Sequence, residues 1–194
     1  MDRVSLSKIV DVRSGFPFRG KIETVPSGGV FVAQPKNIVE GGVLDVAGIV
    51  RAQIPNMKSD YVLNPGDTLL AARGRIAAAD YLGQPWGMCV ASGSLLVLRP
   101  KQSKGLSPGY MTVFFNSDYG RSCLTRIVAQ TTSTFVSLSD LMSLKIPLPD
   151  LELQMRLIAL ARSTARYASL AGPEFRRDWA GSFSTSFLGN RGAE

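Results

Sequence analysis

The fold of this chain follows from the segment Leu63-Asn64-Pro65-Gly66-Asp67-Thr68-Leu69-Leu70-Ala71-Ala72-Arg73-Gly74-Arg75. Its first five residues predict a turn, which the side chain of Asp67 can cap. Residues 68–72 predict a strand directly after the turn, and residues 76–82 predict a second one. The two strands flank Arg73-Gly74-Arg75. The segment therefore predicts two strands joined by a short basic connection.

Further strands and helices lie on both sides of this segment. The predicted strands are residues 8–13, 30–33, 94–99 and 144–148, with Pro147 and Pro149 closing the last of them. Ser107-Pro108 starts a helix with an apolar face, a second helix runs from about Asp118 to about Ile127, and Ser137 caps a short third helix. Such a mixture predicts an α/β (α+β) fold.

Residues 150–194 predict a helical arm that follows a domain of residues 1–149. Asp150 can cap the first arm helix. Apolar residues then recur at alternating spacings of four and three, as in a coiled coil: Leu153, Leu157, Leu160 and Tyr167, with Thr164 as the polar exception. Gly172-Pro173 kinks or breaks the helix. Aromatic residues recur every fourth position beyond the break: Phe175, Trp179, Phe183 and Phe187.

These apolar arm residues have two alternative uses. They pack on the domain of the same chain, or they form an interface with another chain. We favour association, because a single helix of about 22 residues gains little stability alone.

Composition excludes several classes of protein. The 194 residues contain no histidine, which excludes Ser-His-Asp and Cys-His catalysis and removes the commonest metal ligand. Cys89 and Cys123 lack partners at metal-binding spacing and suit buried thiols in a reducing cytoplasm. Asp67 has no second carboxylate at a fixed spacing, so a role in the turn is favoured over catalysis. We find no signal peptide and no apolar run of about 18 residues that would span a membrane.

The charge of the chain suits a polyanionic partner. Its formal net charge is +7, and residues 1–149 contain 16 basic and 10 acidic residues. The basic surplus therefore lies in the domain and not in the arm, which favours nucleic acid as the partner of the domain.

Five segments, in this order, carry a resemblance to a known family. They are Val12-Arg13-Ser14-Gly15-Phe16-Pro17-Phe18, residues 63–74, residues 91–100, residues 108–117, and Ser137-Leu138-Ser139-Asp140-Leu141 with Ile146-Pro147-Leu148-Pro149 and Gln154. Together they resemble, over residues 8–160, the target-recognition domain of type I restriction-modification specificity (S) subunits. The ending 183–189 is similar to the close of the conserved helix in that family.

The resemblance implies a mixed curved β-sheet with peripheral helices, and a chain that binds one half of a split DNA site without catalysis of its own. Complete S subunits carry two recognition domains joined by two long helices, whereas this chain has one of each, so we expect half of a subunit. Two departures concern the arm: Gly172-Pro173 interrupts a helix that is continuous in the family, and Leu151-Glu152-Leu153 replaces the usual acidic pair.

The resemblance also implies that loop side chains contact base edges while lysine and arginine bind phosphates. The predicted DNA contacts are Arg13, Arg19, Lys21, Lys36, Arg73, Arg75, Arg126, Gln130, Thr131, Thr132, Ser133 and Thr134. For residues 130–134 the alternative is a solvated connector, and for the basic residues it is a plain surface charge. Phe16 and Phe18 suit the core better than base stacking.

The expected partners follow from the same resemblance. They are double-stranded DNA, methyltransferase subunits that bring S-adenosylmethionine, and a restriction subunit that brings ATP and Mg²⁺. A homodimer, or pairing with another S-type chain in a bacterial or archaeal cytoplasm, is expected. This chain itself is expected to bind no cofactor and no metal. The alternative is a regulatory or interaction protein that no longer reads DNA.

Overall fold

The computed structural model describes residues 3–83, 87–102, 105–129 and 135–170, without the side chains of 168–170. The predictions for residues 130–134, for the break at Gly172-Pro173 and for Phe175, Trp179, Phe183 and Phe187 lie outside these residues. The strands are β1 (Arg3–Ser5), β2 (Val10–Ser14), β3 (Val30–Ala33), β4 (Ile38–Val39), β5 (Val43–Leu44), β6 (Val50–Ala52), β7 (Thr68–Ala71), β8 (Ala77–Asp80), β9 (Cys89–Ala91), β10 (Leu96–Pro100) and β11 (Lys145–Pro147). The α-helices are α1 (Leu6–Ile9), α2 (Tyr110–Asn116), α3 (Asp118–Ala129), α4 (Leu138–Ser143) and α5 (Leu151–Leu170).

The described strands form four sheets. An antiparallel sheet has the order β2-β10-β7-β8, and a second sheet has the order β6-β3-β9, in which β3 and β9 are parallel. Two antiparallel pairs, β1-β11 and β4-β5, complete the set. The α/β (α+β) prediction is confirmed, with strands of both orientations, but the strands are divided among several sheets and do not form one.

The four-stranded sheet is the central layer because both of its faces are buried. Successive residues of a strand point to opposite faces. Leu70 and Leu98 accordingly belong to a core shared with α2, α4 and α5, whereas Leu69 and Val97 belong to a core shared with β3 and β9. All four residues of β7 are buried. The run of apolar residues in the segment 68–72 thus places β7 inside the molecule.

A third apolar cluster covers the other face of the three-stranded sheet. Val32 and Val90 are fully buried there, and Phe16 and Phe18 pack against them from the loop after β2. Gly15 lies so close to the backbone of Ser92 that a Cβ would overlap its carbonyl oxygen. Glycine at this position therefore lets the end of β2 pass over the end of β9.

Most of the predicted element boundaries agree with the structure to within one or two residues. The Ser137 hydroxyl accepts a hydrogen bond from the amide of Asp140 at 3.2 Å, which confirms the predicted cap of α4. Asp150 accepts from the amide of Leu153 at 2.8 Å and so caps α5. The strand predicted over residues 8–13 is wrong at its start, because α1 ends at Ile9. Leu6 and Ile9 lie three residues apart, and this single turn buries both side chains.

The first turns of α5 are fixed to the domain through Gln154, whose side chain is fully buried. Its amide nitrogen donates to the carbonyl oxygens of Gly105 and Pro149, both at 2.7 Å. Its carbonyl oxygen accepts from the amide of Ser107 at 2.8 Å. One polar side chain thus joins the helix to the segment before α2. The division of the chain at residues 149 and 150 stays a prediction.

The outward side of α5 carries an exposed row of apolar residues. The exposed fractions are 40% for Leu153, 50% for Leu160 and 72% for Tyr167, whereas Ile158 is buried against the core and Leu157 is partly buried. Leu153, Leu160 and Tyr167 are spaced by seven residues. Within the described chain, this row of the predicted coiled-coil spacing faces outward and not toward the domain.

Replacing Gln154 tests its role as the anchor of the arm. In Gln154→Leu the amide of Ser107 and the carbonyl oxygens of Gly105 and Pro149 lose their partners, and a buried unpaired polar group costs about 1–3 kcal/mol. We expect the free energy of unfolding, measured by urea denaturation, to fall by at least about 2 kcal/mol. The neighbouring Met155→Leu change, at a side chain that is 57% exposed, is the control and is expected to have little effect. Equal stability of the two variants would contradict the assignment.

Candidate functional site

Asp67 is the most deeply buried acidic side chain of the domain that the structure describes, with 1% of it exposed. Its carboxylate accepts two hydrogen bonds from Arg99, from Nε and Nη2, both at 2.7 Å. It also accepts from the backbone N–H of Asn64 at 2.9 Å, which confirms the predicted capping of the turn. The bidentate partner, Arg99, was not identified from the sequence, because nothing in the spacing of the two residues indicates that they meet.

Arg13 also lies beside this carboxylate. Its Nη2 is 3.8 Å from Asp67 Oδ2 and donates to the carbonyl oxygen of Val62 at 3.2 Å. Burial lowers the pKa of Arg13, and the charge of Arg99 adds to the effect, whereas the hydrogen bond with Asp67 raises the pKa of Arg99. Two guanidinium groups share one carboxylate, so the cluster carries a net positive charge. Arg13, which is predicted to contact DNA, therefore also has a structural role in this buried cluster.

Three other predicted DNA contacts line one cleft. Lys36, Arg73 and Arg75 surround a volume of about 320 Å³ together with Pro35, Ile38, Ala71 and Ala77. Lys36 comes from the segment between β3 and β4, and the two arginines come from the connection between β7 and β8. None of the residues that line the cleft is acidic. The fold thus combines two basic segments that the sequence separates by more than thirty residues.

Both arginines of this cleft are held by neighbours that are not acidic. Arg75 Nη2 donates to the carbonyl oxygen of Ile38 at 3.1 Å. The guanidinium carbon of Arg73 lies 4.6 Å from the centre of the Phe135 ring, in a cation–π contact. Arg73 and Phe135 also form an isolated antiparallel bridge. These contacts restrict the side chains without neutralising their charge.

The remaining predicted contacts lie elsewhere. Arg19 and Lys21 are exposed on the loop that follows Phe16 and Phe18, and Arg126 is exposed on α3. Phe16 makes edge-to-face contacts with Phe18 and Tyr61, at centroid distances of 4.9 and 5.1 Å. The expectation that Phe16 and Phe18 belong to the core is therefore confirmed.

The described residues offer no sign of a metal centre or of a reactive thiol. They contain no cluster of three potential metal-ligating side chains. Cys89 and Cys123 are both buried, and burial raises the pKa of Cys89 to about 12. In the part of the chain that is described, no helix has the length and apolar character needed to cross a membrane.

Comparison with protein families gives one match. The model of the family described as "Type I restriction modification DNA specificity domain" matches residues 1–159. This range includes Asp67, Arg99 and every residue that lines the cleft. No curated protein sequence matches the chain.

Solved structures give matches to the fold. The HsdS subunit from Thermoanaerobacter tengcongensis matches with a TM-score of 0.57 and 18% identity. A structure described as the structural basis of complex assembly and conformational transition of the type I R-M system matches with a TM-score of 0.61 and 20% identity. The type I restriction-modification S subunit from M. genitalium matches with a TM-score of 0.53 and 14% identity. Each alignment covers 94% of this chain and 42% of the other chain, so this chain spans less than half the length of these structures.

Removing the charge of Asp67 tests the buried cluster. Asp67→Asn keeps the shape of the side chain but leaves the guanidinium groups of Arg99 and Arg13 without their carboxylate. Because breaking a buried ion pair costs about 3–5 kcal/mol, we expect the free energy of unfolding to fall by about 3 kcal/mol, measured by urea denaturation. Asp11→Asn is the control, since that carboxylate is 73% exposed beside Lys101 and such pairs contribute about 0–1 kcal/mol. A loss in Asp67→Asn no larger than in Asp11→Asn would refute a stabilising role for the cluster.

Proposed function

The chain belongs to the family of type I restriction-modification DNA specificity domains. We propose that it reads one half of a split duplex DNA site for a restriction-modification complex. Reading here means sequence-selective binding in the major groove. Base contacts give the selectivity, and contacts to phosphates fix the orientation on the duplex.

One observation carries the proposal. Among the described residues, the exposed predicted DNA contacts have no ion-pair partner: Arg19, Lys21, Lys36, Arg73, Arg75 and Arg126. Arg13 and Arg99 differ, because Asp67 is their counter-ion. Cations that are not engaged in an ion pair remain available to a polyanion, and duplex DNA is the polyanion that the family membership indicates.

The arm supports a proposal about assembly. Leu153, Leu160 and Tyr167 form an exposed apolar row on α5 with coiled-coil spacing, and a row of this kind is the surface that a second helix covers in a coiled coil. We propose that it pairs with the same row of a second S-type chain, antiparallel to it, so that two recognition domains stand at opposite ends of the pair. Methyltransferase subunits would then dock on this assembly.

The chemistry belongs to the partners in this proposal. Methyltransferase subunits would supply S-adenosylmethionine and methylate a flipped adenine. A restriction subunit would supply ATP and Mg²⁺. The chain itself would contribute binding and position, in the cytoplasm where the genome lies.

Selection from random duplex DNA tests the reading function. The full chain, with and without its methyltransferase partner subunits, is mixed with a random-sequence duplex library, and bound molecules are sequenced. We expect one short sequence to be enriched and the logarithm of affinity to fall linearly with the logarithm of salt concentration, by about 0.9 for each phosphate neutralised. A flat salt response and no enriched sequence would refute DNA reading and favour an interaction protein.

Sedimentation tests the pairing of the arm. Leu160→Lys would place a charge in the centre of the apolar row, so we expect it to weaken self-association by about tenfold or more relative to the parent chain. Met155→Lys is the matched control, because Met155 is exposed to a similar extent, 57% against 50% for Leu160, but lies outside the row. A parent chain that sediments as a monomer at micromolar concentration would contradict self-association and leave docking on a partner subunit.

A further inference from the structure

The cleft of Lys36, Arg73 and Arg75 supports a more specific assignment. Resting on the proposed function, we infer that this cleft binds the sugar–phosphate backbone of duplex DNA and does not read a base. The three side chains act together as donors to one stretch of backbone. Its role is to fix the position of the domain on the duplex, while other residues distinguish sequences.

The lining of the cleft suits an anion. Its charged side chains are all cations, and its apolar wall consists of the buried residues Ile38, Ala71 and Ala77. A phosphate that enters the cleft meets no carboxylate, so its attraction to the cations is not offset by repulsion.

Arg75 retains most of its donors. A guanidinium group has five N–H donors, and the hydrogen bond to the carbonyl oxygen of Ile38 uses one of those on Nη2. This bond joins the connection between β7 and β8 to the segment that carries Lys36. The two cationic sides of the cleft are therefore held together before any ligand binds. Preorganisation of this kind lowers the entropic cost of binding.

Arg73 is restrained by a contact that does not neutralise it. Its guanidinium carbon lies 4.6 Å from the centre of the Phe135 ring, and an aromatic ring, unlike a carboxylate, carries no net charge. The cation–π contact therefore positions Arg73 and leaves its positive charge available to an anion. Val136 donates from its backbone amide to the carbonyl oxygen of Ala72 at 3.3 Å, which fixes the neighbouring backbone as well.

Gly74 leaves room for a bulky polymer between the two arginines. Its φ is +68°, a conformation that residues with a side chain rarely adopt, and no heavy atom lies within 4 Å of the position that a Cβ would take. The space over the connection is therefore open to solvent, and a backbone that passes over Gly74 can contact side chains on both sides of it.

The number of cations favours a phosphate backbone over a base edge. Cytosine presents a donor in the major groove and needs an acceptor, whereas guanine, which arginine reads with donors alone, presents two acceptors, O6 and N7, that one arginine satisfies. Three cations line this cleft, which suits the repeated charges of a phosphate backbone better than a single base edge. A small free anion could occupy the same cleft in place of a DNA phosphate. The volume of about 320 Å³ lies at the lower end of small-ligand sites, which occupy about 300–1,000 Å³. The experiment therefore includes both sources.

The test measures the salt dependence of duplex binding by the full chain, on the selected sequence and on an unrelated one. The variants are Arg75→Gln and Lys36→Gln, and Lys145→Gln is the charge-matched control, since Lys145 is exposed on β11 in a different sheet. Each cleft variant is expected to lose about tenfold in affinity at 0.1 M salt on both sequences and to reduce the salt slope by about one. Lys145→Gln is expected to bind as the parent does, and Arg75→Lys to keep the parental slope.

The other outcomes overturn the inference in distinguishable ways. A parent chain that does not bind DNA refutes the proposed function and the cleft with it. If the parent chain binds DNA and the cleft variants bind it with the affinity of the parent or of Lys145→Gln, the assignment of the cleft is refuted while the proposed function stands. If Arg75→Gln loses affinity for the selected sequence alone, Arg75 contacts a base and not the backbone. Micromolar binding of inorganic phosphate or a deoxynucleoside monophosphate that is lost in Arg75→Gln, with DNA affinity unchanged, assigns the cleft to a free anion.

Discussion

The paired hydrogen bonds between Asp67 and Arg99 are the constraint on which the rest of the domain depends. Asp67 directly precedes β7, Arg99 lies in β10 and Arg13 lies in β2, and these three strands are neighbours in the order β2-β10-β7. One buried carboxylate thus joins three adjacent strands of the sheet. A carboxylate that is 1% exposed is tolerated only when its charge and its lone pairs are satisfied, so the three strands are kept in register.

Burial of the central sheet on both faces has a consequence for function. In β7 and β8 nearly every residue is buried, because these strands contact helices on one side and the three-stranded sheet on the other. Basic side chains that serve a ligand next to these two strands must therefore lie in connections. Lys36, Arg73 and Arg75 all do so, at places where a rigid sheet positions short loops.

The arm helix combines two surfaces with different roles. Gln154 and Ile158 fix one face to the domain, and Leu153, Leu160 and Tyr167 present the other face outward. Arg162 adds an ion pair with Asp80 at 3.5 Å, three turns of helix beyond the start of α5. Because the inner face is attached along several turns, the direction of the arm is set by the domain, and any chain that pairs with the outer face inherits that direction.

The sequence by itself determined the class of the fold, the turn at Asn64–Asp67, the caps of α4 and α5 and the spacing of apolar residues along the arm. These features depend on residues close together in the chain, where turn chemistry and periodicity act directly. The ordered segments also identified the family, and with it the expectation of DNA binding. The shortest strands, such as β4, β5 and β9, were not predicted, because two or three residues carry no periodicity.

Only the tertiary structure decided which partners the polar residues have. Arg99 bonds to Asp67 across two neighbouring strands, and Gln154 bonds to Gly105 and Ser107, more than forty positions earlier. Arg75 bonds to the carbonyl oxygen of Ile38 and so joins the segment that carries Lys36. The face of the arm helix that is left exposed was decided in the same way. A hydrogen bond between distant residues depends on how sheets and helices stack, and local sequence does not encode that arrangement.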